Sequence, residues 1–288
     1  MSRIEKSLEK AMEMQGSAVK EGPSGASGKT EVNVTAVYRP EGGQLIRPED
    51  VDHGIVCIRE PGSPIAEQYR KLRARILKST KTGEFLNTIM VASAGEGEGK
   101  TVTAINLAVT IANEIDLTVL LVDTDLRNPS VHKYLGLRSG PGLSEYLKGE
   151  VAIPDAMVKT GIGKLMVLPA GSVPENPSEL LSSARMRSLV GELKNRYQDR
   201  YIILDSPPLL SVADSIPLAG YVDGVLMVVR AASTKSRAAS RALSLIKGSH
   251  ILGVVFNDVP ELMAKQAFSG TASAKYFYGK NTRSAADR

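Results

Sequence analysis

The chain has 288 residues, a formal net charge of +5, 42% hydrophobic residues, 23% charged residues and one cysteine, Cys57. That composition supports one or two folded domains, excludes a disulfide framework or a multi-cysteine zinc or iron–sulfur site within one chain, and leaves His53, His132 and His250 without metal-ligand spacing. No apolar run is long enough to cross a bilayer, the mild charge does not demand nucleic acid, and the N-terminal sequence lacks the apolar core of a signal peptide, so a cytoplasmic protein without a nucleic-acid partner is expected.

In chain order, Ser2 and Glu5 stand at capping-box spacing, and Ile4, Leu8, Ala11 and Met12 fall on one helical face, which predicts a helix over 2–15. A Gly/Ser/Lys/Pro-rich linker follows to about residue 30, then an irregular arm over 31–62. Ser63 and Pro64 read as an N-cap and a first helical position. Ile65, Tyr69, Leu72 and Ile76 follow as an apolar stripe, with Glu67, Arg70 and Arg73 on another face.

From residue 86 onward, apolar runs at 88–94, 117–123, 164–170, 201–205, 223–229 and 251–257 alternate with helical stretches near 100–114, 142–148, 178–197, 213–219 and 234–247. Continuous Val/Ile/Leu runs read as strands buried on both faces of a parallel sheet. The alternation predicts a doubly wound α/β domain, with chemistry in the loops beyond the strand ends. The expected partition is an N-terminal helix and flexible arm at 1–60, the α/β domain at 61–260, and a tail at 261–288 carrying Tyr276 and Tyr278.

The first core strand runs into AGEGEGKT at 94–101 and then into a helix. Gly95, Gly97 and Gly99, with Glu96 and Glu98 between them, give the backbone freedom to turn its N–H groups toward phosphates. Lys100 is placed to reach the β- and γ-phosphates and Thr101 to put its hydroxyl on Mg²⁺, with Val102 continuing into the helix. Two further strands end in acids: LTVLLVD leads to Asp123 and Asp125, and YIILD leads to Asp205. An acid at a strand end is weak evidence alone, since it also serves as a turn residue, but two such acids in one phosphate-loop domain fit a metal site. In an extended chain Asp123 and Asp125 point to one face, so that one can meet the metal and the other an incoming hydroxyl. Asp125 and Arg127 also admit a plain loop ion pair.

AGEGEGKT, LLVDTDLRNP, IILDSPP and ENPSELLSS together resemble the bacterial tyrosine kinases of exopolysaccharide biosynthesis, within the larger deviant-Walker group of P-loop NTPase folds. The start SRIEKSLEKA is similar to the tyrosine autokinases found beside exosortase systems. Partition and division-site ATPases, the competing reading, carry an extra lysine early in the loop, where this chain has Gly95. The resemblance implies ATP and Mg²⁺ as cofactors, with Thr101, Asp123 and Asp205 on the metal side. It implies Lys100 on the phosphates, Asp123 as first choice for deprotonating a tyrosine, Asp125 in support, and Asn257 near the adenine. It also implies a ring-like homo-oligomer joined through Glu67, Arg70 and Arg73, acceptor tyrosines Tyr276 and Tyr278, and a separate membrane chain-length protein as partner, which would recruit the chain to the inner face of the plasma membrane.

Overall fold

Helix-forming and strand-forming stretches alternate to build a seven-stranded sheet covered by helices on both faces. The computed structural model describes residues 44–260, except 82, 84, 197 and 198. All of these fall in one unit, Tyr38–Arg288. The helix expected over 2–15, the linker, and Tyr276 and Tyr278 lie outside the described residues.

The elements are α1 (Val56–Arg59), α2 (Pro64–Thr80), β1 (Thr88–Ser93), α3 (Lys100–Ala112), β2 (Thr118–Asp123), α4 (Val131–Tyr134), α5 (Leu143–Lys148) and α6 (Ile153–Ala156). They continue with β3 (Val158–Lys159), β4 (Leu165–Leu168), α7 (Pro177–Ser182), α8 (Ala184–Arg196), β5 (Arg200–Asp205), α9 (Ser215–Ala219), β6 (Gly224–Arg230), α10 (Ser236–Leu245) and β7 (Ile251–Asn257). The sheet order is β3-β4-β2-β5-β1-β6-β7. Every pairing is parallel except that of β3 with β4.

The central strands are buried along their length because both faces are covered. One face packs Ile89, Val91, Leu121 and Ile203 against α3. The other packs Met90, Leu120, Ile202 and Leu204 against a layer that includes α8 and α9. Burial of this kind contributes on the order of 25 cal/mol per Å² of apolar surface.

The structure departs from the sequence reading in several places. The short antiparallel β3 was not expected. The helical stretch at 178–197 is two helices, because Ser183 turns extended and its Oγ caps α8 through Met186 N–H at 3.1 Å. β7 is not buried on both faces: it is the sheet edge, with Val254 and Phe256 exposed. Ser63 does cap α2, accepting from Ala66 N–H at 3.2 Å. In the stripe on that helix, however, only Ile76 is fully buried, Tyr69 and Leu72 pack partly against the core, and Ile65 stands exposed. Residues 44–60 are not a loose arm. Val51, Ile55 and Cys57 enter the core beside α3.

Candidate active site: a phosphate loop above paired acids

Parallel register places the site. β2 and β5 are neighbours, and Asp123 pairs directly with Asp205 at their carboxyl ends. β1 lies on the other side of β5 and delivers the phosphate loop to the same edge. Gly97 and Gly99 take φ of +70° and +91°. The positive φ favours glycine at Gly99, and a Cβ there would sit 1.9 Å from Asn257 Nδ2 and displace that side chain from the loop.

Lys100 and Thr101 open α3 beneath the loop. Lys100 Nζ lies 3.0 Å from Asp125 Oδ2, 3.8 Å from Asp205 Oδ1 and 3.2 Å from Thr101 Oγ1. Burial works against the Lys100 charge, but Asp205 and Asp125 outweigh it and hold its pKa above the ordinary lysine value. Thr101 Oγ1 donates to Asp205 Oδ2 at 2.7 Å.

Asp205 Oδ1 is buried without a hydrogen-bond partner, a costly state for a carboxylate oxygen. The Thr101 hydroxyl and the strand-end carboxylates of Asp123 and Asp205, the latter with its one unsatisfied oxygen, form a hard donor set that fits Mg²⁺, which takes few protein ligands and completes its shell with phosphate and water. Among the described residues no group of three or more His, Cys, Asp or Glu is placed to hold a metal ion.

The chain turns directly after β2, so Asp123 and Asp125 do not share an extended face. Asp125 N–H donates to Asp123 Oδ1, and Ser130 and Val131 N–H groups donate to Asp123 Oδ2, each at 3.1 Å. Asp123 is thereby fully buried and holds the loop. Asp125 lines the cleft instead, a cavity of about 220 Å³ walled also by Gly97, Lys100, Thr101, Pro207 and Ser211. Arg127 does not pair with Asp125. Its guanidinium donates to Asp214 at 2.7 Å and to Ser178 Oγ at 2.9 Å, which ties the acid loop to α7.

Glu98 points inward rather than at ligand. Its Oε2 accepts from Ala94 N–H at 2.9 Å and its Oε1 from Thr234 Oγ at 2.8 Å. Asn257 Nδ2 donates to the Glu98 carbonyl at 3.0 Å, so Asn257 supports the loop from β7. Glu96 and Val102 stand on the cleft wall. Sequence reasoning missed Thr234, Ser130, Tyr134 and Ser211. The dipeptide Pro207-Pro208 was the one local hint for the last wall. On α2, Glu67 pairs with Arg70 at 2.6 Å. Arg73 is used within its own chain, donating to Thr110 O at 3.0 Å and meeting Glu114 at 2.8 Å near the carboxyl end of α3.

A family model described as an AAA domain matches residues 86–248. The tyrosine-protein kinase YwqD of Bacillus subtilis (strain 168) is 35% identical over 213 residues, covering 73% of this chain and 88% of that protein. The chain belongs to the bacterial tyrosine-protein kinase family. Among solved structures, the kinase domain of Escherichia coli tyrosine kinase ETK matches this kinase-family chain at a TM-score of 0.68 and 31% identity, covering 72% of this chain and 80% of that one. The chimerical protein CapA2B2 matches at 0.67 and 30%, covering 76% and 94%. The septum site-determining protein MinD of Pyrococcus horikoshii, complexed with Mg-ADP, shares the fold at a TM-score of 0.52 and 24% identity. The enzyme class is therefore that of the protein-tyrosine kinases.

Proposed function

We propose that this chain transfers the γ-phosphoryl group of ATP to Tyr276 and Tyr278 on the tail of a neighbouring subunit, and that the cycle regulates exopolysaccharide polymerisation and export. The observation that carries the reading is the Lys100 ammonium held between Asp125 and Asp205, with the Thr101 hydroxyl on the buried Asp205. Loop N–H groups and Lys100 bind the phosphates. Thr101 and Asp205, with Asp123 beside them, form the metal side, where bound Mg²⁺ supplies charge neutralisation for the transferring group. Asp125 stands on the cleft wall, so we assign it the phenol, and Asp123 the task of fixing the loop. A phenol with pKa near 10 need not lose its proton early, because phosphoryl transfer is largely dissociative. Positioning of the hydroxyl then matters more than the strength of the base.

Glu67 and Arg70 are half-exposed on α2 and support a subunit contact there. The start SRIEKSLEKA supports the exosortase-associated type. The partner is a separate membrane chain-length protein that recruits the kinase to the membrane. No described helix is long and apolar enough to cross a bilayer.

The full chain incubated with Mg·ATP is expected to acquire phosphotyrosine at 276 and 278 by mass spectrometry. Lys100→Met should lower the rate by about a hundredfold or more. Tyr276→Phe/Tyr278→Phe should keep ATP hydrolysis and lose the tail phosphate. ATP hydrolysis with no phosphotyrosine in wild type would favour the regulatory-ATPase reading instead.

A further inference from the structure

The segment Gly224–Asn257, which forms β6, α10 and β7, contains five Lys or Arg residues and no Asp or Glu. Arg230 pairs with Asp258. Lys235, Arg237, Arg241 and Lys247 are exposed and have no ion-pair partner among the described residues. The same corner exposes large apolar side chains. Ile251, Val254 and Phe256 stand open on β7, with Phe256 68% exposed, and Leu245 is open on α10. α10 buries Ala242 and packs Leu243 against the core. Helical geometry therefore puts Leu245 with Arg241 and Arg237 on a flank turned away from the interior. Register places Val254 and Phe256 beside Met227 and Val229, on the sheet face that α10 covers. Cations thus border an apolar ridge.

We propose that this α10–β7 flank is a lipid-contact face that seats the protein on an anionic bilayer. Apolar side chains that enter the headgroup boundary, flanked by Lys and Arg, are what a peripheral membrane surface requires. A second copy related by a two-fold axis is the wrong occupant, because that contact would set each set of cations against its own image, and a head-to-tail ring contact is the alternative that the light-scattering arm below separates. A peptide strand added to the β7 edge is disfavoured for a different reason: its backbone hydrogen bonds would make no use of Lys235, Arg237, Arg241 and Lys247, whereas an anionic bilayer engages the cations and the apolar ridge together. No residue lining the cavity of about 220 Å³ belongs to this segment, whose Thr234 and Asn257 brace the phosphate loop instead. The proposal does not depend on the kinase reading, and its test uses no nucleotide.

The full chain should co-sediment with vesicles containing phosphatidylglycerol and not with vesicles of phosphatidylcholine alone. Raising NaCl from about 0.1 M to about 0.5 M should release it. Arg237→Glu/Arg241→Glu should weaken binding by about tenfold or more, and Arg237→Lys/Arg241→Lys should retain it. Val254→Ser/Phe256→Ser should also weaken binding while keeping a cooperative thermal melt. Wild type that ignores anionic vesicles, or charge-reversed protein that binds as well as wild type, overturns the proposal. So does loss of a lipid-free oligomer in these variants by light scattering, which would assign the face to a second copy.

Discussion

At the scale of single residues, the informative pair is Asp123 and Asp205, side by side on neighbouring strands. Burial and then the Asp205 charge raise the Asp123 carboxyl to about 7. Burial raises Asp205 to about 6, although Lys100 and the Thr101 hydroxyl pull it back. In the ligand-free protein the unfolded chain ionises these acids first. They therefore cost stability as pH rises from about 4 through 7. The sign reverses for ligand binding, because a divalent cation needs both acids ionised. Affinity for Mg·ATP is expected to fall as pH drops from about 8 to about 5.5, with proton release near the middle of that range. Calorimetric titration in two buffers of different ionisation enthalpy measures the release directly, and Asp205→Asn should reduce it. Equal heats in both buffers would show that neither carboxyl holds a proton in the free site.

At the scale of elements, the phosphate loop is shaped by partners far away in sequence. Thr234, in the connection after β6, accepts from Arg230 N–H at 2.8 Å and donates to Glu98 across 136 positions. Thr234→Val removes both bonds. It should raise the KM for ATP by about three- to tenfold, the worth of roughly one hydrogen bond, with a smaller change in kcat. Thr234→Ser should restore the value, which a purely steric role would not predict. Neither Thr234 nor Asn257 announces this role locally, whereas AGEGEGKT is legible because all its determinants are contiguous. The same distinction governs the fold. Six strands are legible as Val/Ile/Leu runs, but their order is set by packing between segments and cannot be read from any one of them. α7 and α8 look like one helix until Ser183 caps the second. β7 looks like a core strand because composition records apolarity and not what covers it; the edge position leaves Phe256 in the open.

At the scale of the whole molecule, the folding unit begins before α2. Ile55 is fully buried and Val51 nearly so. Asn106, buried in α3, locks this segment by accepting from Cys57 N–H and donating to Gly54 O, each at 2.9 Å, while its second donor bond goes to Val102 O. A buried amide with these bonds satisfied fixes one arrangement of the segment against the phosphate-loop helix. Ile55→Ala should therefore cost about 2–4 kcal/mol, and lower the urea midpoint by about 1–2 M. Ile65→Ala is the matched control. It removes the same atoms from a neighbouring apolar position, but Ile65 is exposed, so the cost should stay within about 0.5 kcal/mol. Equal losses from the two substitutions would mean that residues 44–60 add no more to the core than the exposed start of α2. A large loss confined to Ile55 would show that a kinase domain trimmed to begin at residue 61 lacks part of its own core.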